Sequence, residues 1–390
     1  MDGEFSFMDF DLFEVAINEC FSVLNIALDN LDIYNFSVDT QDPRNGNTLL
    51  HYAALSGNEE TTKKLLSLTA YTNILNEKGE TPLHLACLKG HLNVTKLLLQ
   101  HKAKLNAVDF RRETPLFKSV QGGNKLLTKF LISQHAAVNI SNKINEKLIH
   151  VAVQFNDIKL VKVLLDTGED PNVISDAGIT PPQLAVQCGN GDILNLLIEK
   201  KADLTVRDIH NCTLLHLAIK EKQTDICKQL ILQGLDINAQ DVNGSSPLHL
   251  AVEFNVVSIV QLLLENSAAI NQKDLDDYTP LHVAAKIKND FEILEMLLKN
   301  NAISDAKTVH GDMPLHVAAA MGNTRAFVSL FSKKYINCLN NSGLTPLQIA
   351  EEKGNIAVVQ LIMELDRNNN TGPKIPVLTE LHKTKRKTLI

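Results

Sequence analysis

Pairs of adjacent apolar residues recur along the chain at intervals close to 33 residues. A paired apolar position in a stretch of mixed polarity is typical of the buried face of an amphipathic helix. The pattern therefore predicts a series of similar helices that contribute the same two positions to a core. The pairs are Leu65-Leu66, Leu98-Leu99, Leu131-Ile132, Leu164-Leu165, Leu197-Ile198, Leu230-Ile231, Leu263-Leu264, Leu297-Leu298, Leu330-Phe331 and Ile362-Met363.

A recurring tetrapeptide precedes each pair by 17 residues, or by 18 in its eighth copy, and its clearest copy is Thr81-Pro82-Leu83-His84. Proline fits the first turn of a helix, where its missing N–H is harmless, so the tetrapeptide predicts a helix start. The ten copies begin at residues 48, 81, 114, 147, 180, 213, 246, 279, 313 and 345. The spacing is 33 residues up to 279, and then 34 and 32. One residue is gained near Lys286–Phe291 and one is lost near Tyr335–Ile336.

Small residues mark further fixed positions in each repeat. An alanine follows the tetrapeptide's fourth position by two residues, which lets two helices approach closely. A glycine often stands two residues before the tetrapeptide, where a turn requires positive φ, and Arg112 departs from that rule. The alanines are Ala53, Ala86, Ala152, Ala185, Ala218, Ala251, Ala284, Ala318 and Ala350.

The segment from about Asp42 to Asp366 resembles the ankyrin repeat in its T-P-L-H-x-A helix start, second helix and turns. The resemblance implies an all-α solenoid of helix-turn-helix units with β-turn or hairpin tips. It comprises about ten repeats, numbered here from the tetrapeptide at Thr48. The predicted domains are 1–40, a segment with a degenerate capping repeat, 41–366, the array, and 367–390, a flexible basic tail. In the capping repeat, two apolar faces are predicted at Leu12, Phe13, Ala16 and Ile17 and at Val23, Leu24, Ala27 and Leu28.

Net charge, the lack of long apolar runs and the cysteine pattern argue against several classes of function. A net charge of −7 argues against nucleic acid, which needs a basic surface. No apolar run of 18 residues occurs, so membrane insertion is not expected. Scattered cysteines without a CxxC pair, in a chain whose N-terminus lacks a secretory signal, indicate reduced thiols and a cytoplasmic protein. The basic run Lys383–Lys387 leaves nuclear import open.

Seven histidines occupy the fourth position of the tetrapeptide, and they raise the question of a metal site. Ligands must all lie about 2 Å from one ion, whereas equivalent positions in stacked repeats are about 10 Å apart. We therefore expect no metal or cofactor, and expect each histidine to join loop and helix by hydrogen bonds. The same is expected of Asn73, Asn106, Asn139, Asn172, Asn238 and Asn271.

No catalytic motif stands out in the chain. It has no G-x-x-x-x-G-K loop, no H-E-x-x-H and no G-x-S-x-G elbow. An enzyme with a cryptic Cys/His site stays an alternative. The main hypothesis is a non-catalytic, monomeric interaction module, acting as scaffold, adaptor or inhibitor. A further alternative is a pathogen effector or viral host-range protein that acts on host proteins in the host cytosol.

The resemblance implies that a protein partner binds on the concave face, at the turn tips and the exposed positions of the first helices. Aromatic residues and arginine dominate interface hot spots, so Phe254 and Tyr278 are the strongest candidates. Ile209, Lys220, Glu221, Leu275 and Ile287 occupy similar positions. The predicted site comprises Phe110, Arg111, Glu113, Phe155, His210, Val242, Asn243, Glu253, Phe254, Asp276, Tyr278 and Lys286.

Overall fold

The structure, a computed structural model, describes residues 11–30, 36–288 and 291–367, with side chains to 365. These residues form 22 helices and no strand beyond two isolated bridges, Ser141↔Lys147 and Arg207↔Thr213. The prediction of an all-α repeat fold is confirmed. The chain divides into two compact units, Met1–Asp203 and Leu204–Ile390.

Each unit contains five repeats of two helices. The first helices of unit 1 are Leu49–Ser56, Pro82–Lys89, Pro115–Gln121, Leu148–Gln154 and Pro181–Gln187, and its second helices are Glu59–Ser67, Leu92–Gln100, Lys125–Ser133, Ile158–Asp166 and Gly191–Glu199. The first helices of unit 2 are Leu214–Lys220, Pro247–Glu253, Pro280–Lys286, Pro314–Met321 and Pro346–Glu352, and its second helices are Thr224–Leu232, Val257–Glu265, Glu292–Lys299, Thr324–Leu330 and Ile356–Arg367.

The tetrapeptide starts the first helix by a reciprocal capping arrangement. In repeat 1, the Thr48 side chain accepts a hydrogen bond from the backbone of His51, and Thr48 N–H donates to His51 Nδ1 at 3.0 Å. Two of the helix's unsatisfied N-terminal groups are thereby paired. The helix ends at Gly57, whose φ of 76° fits the left-handed cap that glycine adopts without strain.

The alanine and leucine positions build the core of each unit. Every alanine of the alanine position is at most 2% exposed, and the first residue of each apolar pair is at most 4% exposed. The second residue of the pair is buried in some repeats and half-buried in others. Because no single repeat can bury these positions alone, the core forms by stacking of neighbours.

Two further helices, Leu12–Ile17 and Phe21–Leu28, pack against repeat 1 in unit 1. Lys64 of repeat 1 donates to the backbone carbonyl of Asn25 and pairs with Asp29 at 2.6 Å. The two predicted apolar faces are confirmed except at Ile17 and Val23, which are exposed. The prediction was wrong there because each helix spans only six or eight residues and buries a narrow stripe. Of the predicted tail, 367–390, all but Arg367 lies outside the described residues.

The irregular spacing near repeats 8 and 9 is absorbed at helix ends. The first helix of repeat 8 ends at Ile287, which is extended rather than left-handed. The second helix of repeat 9 has seven residues, whereas most second helices have nine. The gained residue therefore falls between Lys286 and Glu292, outside both helices of repeat 8, whereas the second helix of repeat 9 is shortened and ends at Leu330.

Candidate protein-binding surface

The turn tips of successive repeats are joined by backbone hydrogen bonds. In unit 1, the N–H of Phe110 donates to the carbonyl of Lys78 at 3.0 Å, and that of Lys143 donates to Arg111 at 2.7 Å. In unit 2, the N–H of Val242 donates to the carbonyl of His210 at 2.9 Å. The same bond joins Leu275 to Asn243, Val309 to Asp276 and Asn341 to His310, each at 3.0 Å. Within each unit, the tips therefore form a continuous edge.

The histidine position joins neighbouring repeats below that edge. His84 Nδ1 accepts from Thr81 N–H at 3.0 Å, so the proton lies on Nε2, which donates to Glu113 O at 3.1 Å. Burial lowers the pKa of His51 and His282 to about 4, so the rings are neutral at pH 7. The expected loop-to-helix role is confirmed. His51, His150, His216, His249, His282 and His316 form equivalent bonds.

The asparagine position also joins repeats, as expected, at five of the six asparagines named in the sequence analysis, all but Asn139. The Asn73 side-chain oxygen accepts from Lys104 N–H at 2.8 Å, and Asn238 accepts from Ala269 N–H at 2.7 Å. The pairs Asn106–Ala137, Asn172–Asp203 and Asn271–Ile303 are equivalent. These amides hold loops together and are not free to act as ligands.

The third-repeat candidates separate into two environments. Phe110 is 63% exposed, and Arg111 is exposed beside it on the tip edge. Glu113 is buried, contrary to the exposed position expected for it, because its carboxylate pairs with Lys118 at 2.7 Å. Asp109 and Glu80 lie 2.9 and 3.3 Å from the same ammonium. Glu113 therefore stabilises the repeat from inside and is not presented to a partner.

Four candidates in unit 2 lie on its tip edge, and all of them are exposed. They are His210, Val242, Asn243 and Asp276. His210 and Val242 are joined directly by the backbone bond, as are Asn243 and Leu275. The structure therefore brings these residues together on one edge, as the sequence analysis expected of neighbouring tips.

Tyr278 and Lys286 of repeat 8 contact each other beside that edge. The Lys286 ammonium lies 4.0 Å from the centroid of the Tyr278 ring, which is cation–π geometry. The Tyr278 ring also packs edge-on against His282, with centroids 5.4 Å apart. Tyr278 is half-buried and Lys286 is exposed, so one aromatic face is covered by a movable charged side chain.

The remaining candidates lie at the ends of first helices. Phe155 and Phe254 cap the first helices of repeats 4 and 7, and Glu253 precedes the second of these caps. Phe155 is 45% exposed, Phe254 is half-buried and Glu253 is exposed. None of the three lies on the tip edge, so the predicted site is divided between tips and helix ends.

Val309 is an exposed apolar tip residue that the predicted site does not include. Val309, on the tip of repeat 9, is 46% exposed and stands at the position occupied by Val242 in repeat 7. Ile209 and Leu275 occupy that position in repeats 6 and 8 and are 85% and 72% exposed. A comparison of one tip position across repeats, rather than tip by tip, would have identified the series.

Two observations bear on the alternative of an enzyme with a cryptic Cys/His site. Burial raises the pKa of the Cys87 and Cys227 thiols to about 12, so both are protonated at neutral pH. No cluster of three metal-ligating side chains occurs among the residues that the structure describes. No helix in the described part of the chain has the length and apolarity needed to span a bilayer.

Comparison with known proteins agrees with the geometry. The family model described as ankyrin repeats (3 copies) matches residues 12–109, 105–175, 148–241, 215–308 and 281–372. No match was found among curated proteins. Ankyrin repeats are generally protein–protein interaction modules and are typically non-catalytic. Because the matched segments together extend through both units, this chain belongs to the ankyrin-repeat family.

Proposed function

We propose that this protein is a non-catalytic interaction module whose array, residues 41–366, binds a protein partner as a scaffold, adaptor or inhibitor. The proposed surface is the face formed by the turn tips and the first-helix ends, which is concave in ankyrin arrays. The observation that carries the proposal is the run of exposed apolar residues on successive tips of unit 2. Monomeric soluble proteins rarely leave contiguous apolar surface open unless it binds something.

The composition supports a protein as the partner. The net charge of −7 disfavours nucleic acid, and the exposed tips combine apolar, amide and charged side chains, as protein interfaces do. We place the function in the cytoplasm, and propose that the run Lys383–Lys387 directs import where the protein acts in the nucleus. The protonated buried thiols give no support to a Cys/His enzyme.

The test is affinity capture from cell lysate with the intact chain and a Phe254→Ala/Tyr278→Ala variant of equal thermal stability. Loss of a hot-spot pair is expected to lower capture of one protein about tenfold or more. The matched control is Leu232→Ala/Val328→Ala, which removes two exposed apolar residues from second helices of the same unit. Equal loss from both variants would contradict the proposed face.

A further inference from the structure

Five lysines are exposed on the second helices of repeats 2 to 4 in unit 1, and we name them the lysine face. They are Lys96, Lys125, Lys129, Lys159 and Lys162. The three helices contain one acid between them, Asp166, whose carboxylate pairs with Lys200 of repeat 5 at 2.7 Å. None of the five lysines forms an ion pair with a described residue. Their charge is therefore presented to solvent.

The surroundings of the lysine face do not cancel its charge. Within four residues of either end of the three helices, the exposed charged side chains are Lys89, Lys102, Lys104 and Asp170. The buried acids of these segments are engaged, because Asp157 caps its helix and Glu169 pairs with Lys147 at 3.0 Å. Acids return on the second helices of repeats 1 and 5, at Glu59, Glu60, Asp192 and Glu199. The positive surface therefore covers repeats 2 to 4.

The repeat itself does not require a lysine at this place. Lys96, Lys129 and Lys162 stand two residues before the apolar pair of their repeats. The same position in unit 2 carries Lys228, Gln261, Glu295, Val328 and Gln360. The run of lysines is therefore a property of unit 1 and not of the ankyrin framework.

Exposed apolar side chains lie among the lysines. Leu126 is 79% exposed, and Val163 and Ile158 are 40% and 39% exposed. The ring of Phe130 lies with its centroid 5.6 Å from the Lys96 ammonium group. The lysine face therefore combines positive charge with open apolar surface.

These residue types favour a bilayer surface over a protein or a nucleic acid. All five cations are lysine, which is depleted at protein–protein interfaces, whereas arginine is enriched there. Interfaces with nucleic acid are more polar than those between proteins, and Leu126 would find no apolar partner on a phosphate backbone. A bilayer with anionic headgroups offers negative charge to the lysines and hydrocarbon to the apolar side chains.

We propose that the lysine face adsorbs to the surface of a bilayer that contains anionic phospholipid. The lysine ammonium groups contact the headgroups, and Leu126 enters the boundary between headgroups and acyl chains. The contact is peripheral, and no segment of the chain crosses the bilayer. Each lysine near an anionic surface strengthens binding about fivefold, and the attraction weakens as salt rises. This inference goes beyond the proposed function and requires no protein partner.

The test is co-sedimentation of the purified full chain with phosphatidylcholine vesicles, with and without phosphatidylserine. Binding is expected only when phosphatidylserine is present, and it should weaken as salt is added. The Lys129→Gln/Lys162→Gln variant is expected to bind about ten- to thirtyfold more weakly at low salt. The matched control, Lys78→Gln/Lys143→Gln, removes two exposed lysines from tips of the same unit and should stay within about twofold of the parent.

The apolar part of the contact is tested with Leu126→Gln, which keeps a good helix former at the position. Binding to phosphatidylserine vesicles is expected to fall about three- to tenfold, because less apolar surface leaves water. Leu232→Gln, at a second-helix residue of unit 2 that is 75% exposed, is the control and should bind as the parent does. Circular dichroism and thermal melting confirm that every variant is folded before use.

Three results would overturn the inference. The first is no binding to phosphatidylserine vesicles at low salt. The second is an equal loss of binding from the lysine-face pair and the tip pair. The third is lysine-dependent binding to duplex DNA or polyglutamate that is tighter than vesicle binding and unchanged by Leu126→Gln, because the face would then serve another polyanion. None of these results bears on the capture experiment, so the proposed function is tested independently.

Discussion

Lys118 and Glu113 form an ion pair inside unit 1, with 2.7 Å between Nζ and Oε2 and side chains that are 8% and 5% exposed. Asp109 and Glu80 complete the surroundings of the ammonium group. Burial by itself lowers the pKa of Lys118, but the hydrogen bonds to Glu113 and Asp109 outweigh it and raise the pKa above the usual 10.5. One lysine therefore neutralises part of a buried acidic cluster.

We predict that Lys118→Ala lowers the free energy of unfolding by about 3–5 kcal/mol, because it leaves buried carboxylates without a counter-charge. The measurement is urea denaturation at pH 7. Lys125→Ala, which changes an exposed lysine in the next helix, is the control and should stay within about 0.5 kcal/mol of the parent. If Lys118→Ala lowers the free energy of unfolding no more than Lys125→Ala does, the buried carboxylates do not need the lysine as a counter-charge.

The buried histidines predict a pH dependence of stability. Their folded pKa is depressed, to about 4 for His51 and His282, whereas an exposed histidine titrates near 6.5. The unfolded chain therefore takes up protons first as pH falls. Stability is fully present above pH 6.5 and is lost as pH falls toward the folded pKa. Each histidine contributes up to about 1.4 kcal/mol per pH unit in that window.

His282→Gln isolates this effect with a substitution that the chain already uses. Gln183 and Gln348 stand at the same position in repeats 5 and 10, and each accepts from the N-cap N–H at 2.9 Å. We expect the variant to lose less stability than the parent between pH 6.5 and 5, measured by urea denaturation at both values. If the variant and the parent lose the same stability between pH 6.5 and 5, His282 does not contribute to the pH dependence.

Arg112 occupies a turn position where most other repeats have glycine, and its φ is 61°. A left-handed conformation costs a side-chain-bearing residue about 1–2 kcal/mol, and glycine's larger unfolded-state entropy offsets part of this. Arg112→Gly is predicted to raise the free energy of unfolding by about 0.5–1 kcal/mol.

The opposite change, Gly79→Ala, serves as the control for Arg112→Gly. A Cβ there would lie 2.8 Å from the backbone nitrogen of Phe110, at a φ of 76°. It should destabilise unit 1 in the same denaturation assay. If Arg112→Gly instead lowers the free energy of unfolding, the contacts of the arginine side chain stabilise the fold by more than its positive φ costs.

The contact between Lys286 and Tyr278 allows stability and binding to be separated. An exposed cation–π pair contributes about 0.5–1 kcal/mol, so Lys286→Ala should change stability by no more than that. We predict a larger effect on partner affinity, about fivefold or more, because both side chains border the proposed surface. Isothermal titration calorimetry with the captured partner measures it. A loss of affinity no greater than that of Lys299→Ala, an exposed second-helix lysine, would contradict the assignment.

The repeats and their boundaries could be predicted from the sequence because stacking requires the same residue type at the same position in each repeat. The single-residue details could not. Ile17 and Val23 read as core residues but lie on the outer sides of short helices, and Glu113 reads as a tip residue but is drawn inward by Lys118. Such outcomes depend on one neighbouring side chain, and the period of the repeat carries no information about it. Val309 was not expected in the site because aromatic residues, rather than small aliphatic ones, dominate interface hot spots.

Hydrogen–deuterium exchange of the full chain, with and without the captured partner, tests whether a protein partner occupies the tips and first-helix ends. We expect slower exchange on binding in the tips around residues 209–211, 242–244 and 275–277, with the second helices unchanged. Protection confined to second helices such as Thr224–Leu232 and Val257–Glu265 would place the partner on the other side of the repeats and contradict the proposed function.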